Sequence, residues 1–161
     1  MNTDIARQKL FSTLVDQAII TSRQLISMLE SEFEALSANS PDLLDTIVEE
    51  KKQYLLKLSQ IMAEQNSLLS SVELTCDAKG VETLYANLPE THSAKKNWNT
   101  LQTLAKVMAE NNLRNGIMLS QHSENTRNAL NILTGGNNDK PTYQYGGKTQ
   151  AYRQNNSLAY A

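Results

Sequence analysis

Apolar residues recur along most of this chain at steps of three, four or seven, the spacing of one face of an α-helix. The first such stretch, residues 4–38, carries Leu10, Leu14, Ala18, Leu25, Leu29, Phe33 and Leu36, with Val15, Ile19 and Ile26 broadening the stripe. Arg7, Lys9, Asp16, Gln24 and Glu30 lie on the polar face. Asn2 or Thr3 can cap its start, and Asp4 suits the positive end of the helix dipole. Ser40 followed by Pro41 marks a second start, because a proline at the first helical position forfeits no hydrogen bond. The second predicted helix, 41–75, has its stripe at Leu44, Ile47, Val48, Leu55, Leu58, Met62, Leu69 and Val72. The link between the two is only a few residues, which implies antiparallel neighbours.

Residues 76–92 are less regular, with Gly80 and Pro89 as punctuation and a short helix between Val81 and Leu88. Ser93 or Thr91 caps a third long helix, 94–133, with Trp98, Leu101, Ala105, Met108, Leu113, Ile117, Leu130 and Leu133 as its apolar positions. Asn115-Gly116 is a turn signal, and the glycine alone costs about 1 kcal/mol inside a helix, so a break there competes with a continuous helix. Ser120 to Asn128 contains no large apolar residue, so this helix buries less of itself than the first two. From Gly135-Gly136 onward the chain is rich in Gln, Asn, Gly, Thr and Tyr and has no apolar period. Such a segment cannot offset its ordering entropy by burial, so 135–161 is expected to be a disordered tail on a helical domain spanning 1–134. Four of the six tyrosines stand there, at Tyr143, Tyr145, Tyr152 and Tyr160. They read either as anchors for a partner or as incidental members of a solubilising tail.

Composition narrows the class. The chain has 161 residues, 6 glycines and 3 prolines, too few turn formers for a many-stranded β fold. Aromatic residues make up only 6%, so the core is aliphatic. Fifteen basic and 17 acidic residues leave a net charge of −2, with no general attraction for nucleic acid or anionic lipid. The basic residues are dispersed rather than striped. No apolar run approaches the ~18 residues of a membrane span, and the first residues lack the order of a signal peptide. A cytoplasmic protein is the expectation.

Candidate chemistry is sparse. His92 and His122 have no metal-ligand partner at helical spacing and read as solvated side chains. Cys76, the single cysteine, excludes an intramolecular disulfide and reads as a small, at least half-buried hydrophobe. Glu49-Glu50-Lys51-Lys52 has adjacent carboxylates about 100° apart on a helix, so they cannot flank one substrate; the run reads as a solvated face with local ion pairs. Gly146-Gly147-Lys148-Thr149 mimics the end of a phosphate loop, but the upstream glycine position is Thr142 and no strand precedes it. No catalytic, cofactor or metal site follows, and the chain is not expected to be an enzyme.

The order of several motifs is nevertheless distinctive. Asn112, Arg114, Asn115-Gly116, Met118-Leu119 and Gln121, followed by Asn125, Ala129-Leu130 and Leu133, resembles the C-terminal signature of the FlgN-type flagellar export chaperones. Glu49-Glu50-Lys51 before Leu55-Leu56 and Leu58, Trp98 at the start of the third helix, and Tyr145-Gly146-Gly147-Lys148-Thr149 in a polar tail are similar to further segments of that family.

The resemblance implies a non-enzymatic cytoplasmic type III export chaperone that needs no cofactor. Such a chaperone binds hook-associated (hook–filament junction) proteins through their C-terminal amphipathic helices and delivers them to the export gate. By position, Asn115, Gly116, Ile117, Met118, Leu119, Ala129, Leu130 and Leu133 fall on the client surface. Tyr145, with Tyr143 as the alternative, falls on the contact with the gate's cytoplasmic domain.

The fold expected is all-α: an elongated antiparallel bundle of three long helices with a disordered C-terminal tail, acting as a monomer or weak homodimer. A structural coiled-coil protein and a regulatory partner of another secretion system are the competing readings.

Overall fold

The computed structural model describes residues 2–134, and these are helices joined by short turns, with no strand among the described residues. Helix α1 spans Asn2–Ser37, α2 Pro41–Ser70, α3 Ala78–Leu84 and α4 Ser93–Leu133. The chain divides into two compact units at Ser123 and Glu124. The expected tail, 135–161, lies outside the described residues, as do Tyr143 and Tyr145.

The helix ends follow from local chemistry. Asn39 takes a left-handed conformation, φ 51°, just after α1, where an L residue other than Asn or Gly is strained. Ser40 N–H then reaches back to Ala35 O at 3.0 Å and Asn39 N–H to Leu36 O at 3.1 Å, the paired bonds of a Schellman ending. Ser40 holds the N-cap position of α2 in extended conformation, yet its side chain makes no capping bond; Pro41 is the operative start signal. The same ending recurs after α2, with Glu73 at φ 58° and Leu74 N–H bonded to Leu69 O at 3.0 Å. That turn stops α2 before residue 75, the end expected from its apolar pattern, because Leu74 folds back beside Leu69 into the core.

Asp77 then caps α3, its carboxylate accepting from Gly80 N–H at 3.0 Å and from the Thr75 hydroxyl at 2.6 Å. Those bonds, Thr75's first, hold the Asp77 carboxyl below its ordinary pKa. Gly80 is required at this point: a Cβ there would lie 1.8 Å from the Thr75 carbonyl oxygen. The α4 start differs from expectation. His92 Nδ1 accepts from Ala94 N–H at 3.2 Å, so the imidazole expected to be merely solvated caps the helix. Cys76 is exposed rather than buried, its sulfur 3.4 Å from the Ser70 hydroxyl.

In the unit ending at Ser123, α1 and α2 form the closest helix pair. They run antiparallel, with Leu14 and Ala18 packed on Ile61 at one end and Glu32 paired to Lys51 at the other. Helix α4 runs parallel to α1: Asn97 bonds Asp16 at 2.7 Å and Asn111 bonds Glu30 at 2.8 Å, so partner numbers rise together. The main core lies where α1, α2, the α3 segment and the start of α4 meet. Phe11, Val15, Ile19, Leu69, Val81, Tyr85 and Ala94 are buried there, with Trp98, Leu101 and Leu104 packed on them. Each large side chain so buried contributes about 1.5–3 kcal/mol. Phe11 takes the place the apolar pattern assigned to Leu10, which is 53% exposed, because α3 covers the Phe11 side of α1.

Candidate functional site

Helix α4 changes character along its length. Its first turns pack Ala94, Trp98, Leu101 and Leu104 on the core. Beyond Met108 its one buried residue within the first unit is Asn115. Leu113, Ile117 and Leu119 are 66, 53 and 54% exposed. Leu113 and Ile117, four apart, share one face, while Asn112, Asn115, Gly116 and Leu119 turn toward α1 and α2. The helix is continuous through Gly116.

A polar node fixes this stretch. Asn115 Nδ2 donates to Leu29 O at 2.7 Å and to Glu32 Oε2 at 2.9 Å. Glu32 Oε1 accepts from Lys51 Nζ. The pair is largely withdrawn from water, with side chains 17% (Lys51) and 9% (Glu32) exposed. Arg114 lies over the Phe33 ring, 3.9 Å from its centroid, and donates to Glu30 at 3.1 Å. Three helices are therefore joined by one carboxylate, one ammonium and one amide, each with its partners present.

Above the node, Leu36 of α1, Leu44 and Val48 of α2 and Leu119 of α4 wall an open cleft of about 180 Å³, with Gly116 on its border. A second cleft, about 410 Å³, lies between the α3 segment and α4, lined by Glu82, Tyr85, Glu90, Lys95, Trp98 and Gln102.

The expected client residues separate into distinct environments. Asn115 is spent inside the bundle, with its amide committed to Leu29 and Glu32. Gly116, Ile117 and Leu119 are exposed and Met118 is half-buried, near enough for its sulfur to accept from the Ser37 hydroxyl at 3.7 Å. In the unit beginning at Glu124, every described residue is exposed. Ala129, Leu130 and Leu133 are among them; Leu130 is 55% and Leu133 81% exposed, and the two stand three apart on one face. The cleft walls on α1 and α2 and the Glu32–Lys51 pair were missed by the sequence reading. Their signal was a charged residue at a stripe position: Glu32 between Leu29 and Leu36, and Lys51 between Val48 and Leu55.

The surface at this end of the first unit combines exposed apolar side chains with an open cleft. Among the described residues no cluster of three His, Cys, Asp or Glu could hold a metal ion. No helix among them is long and apolar enough to cross a membrane.

The chain matches the model of the FlgN protein family over residues 1–151. No curated protein matches it. Its fold is similar to the crystal structure of a Pseudomonas aeruginosa protein that carries the name flagella synthesis protein FlgN, with a TM-score of 0.61 and 23% identity. The similarity covers 75% of this chain and 93% of that one. A family match running from the first helix past the end of α4, on an all-helical fold, places the chain in the FlgN family of flagellar export chaperones, a family of binding proteins rather than enzymes.

Proposed function

We propose that this protein is a cytoplasmic type III export chaperone for flagellar hook-associated proteins, holding their C-terminal amphipathic helices and delivering them to the export gate. The observation that carries this reading is the apolar surface left uncovered on α4. Leu113, Ile117 and Leu119 stand beside an open apolar cleft, and Leu130 and Leu133 are bare in the last turns. An amphipathic client helix presents anchors at the same three- and four-residue spacing. The three long helices act as a bundle spanning 1–134, the protein works as a monomer or weak homodimer, and 135–161 serves as a tail. On this reading Gly116, Ile117, Met118, Leu119, Ala129, Leu130 and Leu133 form the client surface. Asn115 supports it from beneath through its bonds to Leu29 and Glu32. Tyr145, or Tyr143, is the contact with the cytoplasmic domain of the gate.

The test is a titration of the full chain with a labelled C-terminal helical peptide of a hook-associated protein. Ile117→Asp and Leu130→Asp change exposed side chains, so both variants should fold. Each should weaken binding at least about tenfold, since an aspartate forced against an apolar anchor loses the contact and its own hydration. A folded wild-type chain that binds no such peptide sinks the reading.

A further inference from the structure

Two glycines lie among the described residues, and the fold needs only one of them. At Gly80 a Cβ would collide with the Thr75 carbonyl oxygen, 1.8 Å away. At Gly116 a Cβ would meet nothing within 4 Å. Gly116 also sits well inside a continuous right-handed helix, where any other residue except proline is a better helix former. Neither backbone conformation nor internal packing therefore accounts for it.

Its surroundings do suggest a use. Gly116 borders the cleft walled by Leu36, Leu44, Val48 and Leu119. Of the polar groups at that cleft, Lys51 and Asn115 both bond Glu32 at its floor, which leaves the exposed Asn112 amide at its border beside the apolar walls. The cleft's volume of about 180 Å³ fits one large apolar side chain, given that an engineered cavity of roughly 150 Å³ holds benzene. Leu113 and Ile117 stand exposed within a turn of the glycine. A missing side chain at the border of an apolar hole is what lets a second helix lie close enough to insert a knob, as small residues do wherever helix backbones approach.

We propose that Gly116 is the point of closest approach for the client helix and that the cleft beside it receives a single leucine- or phenylalanine-sized residue of that helix. This rests on the reading of α4 as the client surface and adds to it a specificity-determining position: a client helix should carry one dominant apolar anchor, and binding should depend on side-chain volume at residue 116. The family to which the chain belongs binds flagellar proteins, which favours a client helix over a second copy of the chain as the occupant.

The experiment uses the full chain, a fluorescein-labelled C-terminal helical peptide of a hook-associated protein, and the series wild type, Gly116→Ala and Gly116→Leu. Replacing a helical glycine in open space should raise the melting temperature by ~2–4 °C for Gly116→Ala. Over the same series the peptide Kd should rise about tenfold for Ala and further for Leu, because each added group occupies the approach path. Greater stability with weaker binding is a combination that a purely structural glycine does not give. An unchanged Kd for Gly116→Leu overturns the proposal. Equal losses for Ala and Leu also overturn it, since they indicate that the helix bends at 116 rather than that volume matters. A concentration-dependent dimer of the wild type that Gly116→Leu abolishes, with peptide binding intact, assigns the cleft to a second copy and overturns the client assignment. If the folded wild type binds no client peptide, the chaperone reading fails first and this proposal with it.

Discussion

Around Tyr85 all four helical segments meet over aliphatic and aromatic side chains, whereas around Asn115 three helices meet over a carboxylate, an ammonium and an amide. The first region is closed in the sense that its large side chains are buried, Phe11 and Tyr85 almost completely, although the cleft between the α3 segment and α4 runs past Tyr85 and Trp98. Phe11 meets the Tyr85 ring edge-on at 5.8 Å and lies 6.2 Å from Trp98, and α3 covers them. The second region is open, with a cleft above its polar node and exposed leucines beside it. Burial of apolar surface is non-directional and tolerates small slips, while hydrogen bonds among Glu32, Lys51 and Asn115 demand one alignment of three helices. The difference suggests a division of labour. The closed region supplies most of the stability, and the node fixes the position of α4 where the helix has too little apolar cover to do so itself.

Breaking the node should therefore have the largest effect. Glu32→Ala leaves the Lys51 ammonium and the Asn115 amide without their shared acceptor in a site mostly removed from water. The expected loss is about 3 kcal/mol in urea unfolding. Replacing all three groups together, by Glu32→Leu, Lys51→Met and Asn115→Leu, should restore wild-type stability or exceed it, since no charge remains to be buried. If Glu32→Ala costs less than about 1 kcal/mol, the node does not fix α4 and the contrast between the two regions collapses. Next in size is Gly80→Ala in the closed region. The added Cβ meets backbone rather than a flexible side chain, so the α3 turn must shift, and a loss of about 2 kcal/mol is expected. Peptide binding at α4 should survive Gly80→Ala under conditions where the variant remains folded, because that change lies in the α3 turn and outside the cleft, which separates stability from recognition.

The two regions were unequally legible in the sequence. The all-helical class and the break at Ser40-Pro41 follow from period and turn chemistry alone. The closed core was read nearly in register; the exchanges of Leu10 for Phe11 and of Met62 for Ile61 reflect stripes wide enough to turn either way until a neighbour covers one side. The node was not read, because a charged or amide residue on the inward side of a helix looks like an interruption until its partners are known. Glu32, Lys51 and Asn115 each occupy such a position on a different helix, and only the antiparallel pairing of α1 with α2 and the parallel run of α4 brings them together. The exposure of Leu113 and Ile117 was hidden for the converse reason: a perfect helical spacing says which residues share a face, not whether anything in the chain covers it.

The smallest effect sharpens the closed side of the comparison through pH. Tyr85 is buried, and burial pushes its phenol above the ordinary value; the Ser12 hydroxyl pulls it part of the way back, and Asp16 adds to the rise. Ser12 Oγ donates to Gln8 O at 2.8 Å, so in its bond with Ser12 at 3.0 Å the Tyr85 hydroxyl is the donor. Ionisation would remove that proton inside the core. A group whose folded pKa is raised contributes stability that is complete below the unfolded value, about 10 for tyrosine, and is lost as pH climbs through the folded value. Tyr85→Phe should therefore cost about 1 kcal/mol at neutral pH, the worth of one hydrogen bond, because Ser12 keeps its bond to Gln8 and no buried group is orphaned. Above pH 10 the gap between wild type and Tyr85→Phe should narrow, since only the wild type carries this ionisation. Taking the difference between the two proteins cancels the other tyrosines and the lysines, which titrate in both. A gap that stays constant from pH 8 to pH 11 would mean that the phenol reaches water, and that the region around Tyr85 is less closed than its packing against Phe11 and Val81 implies.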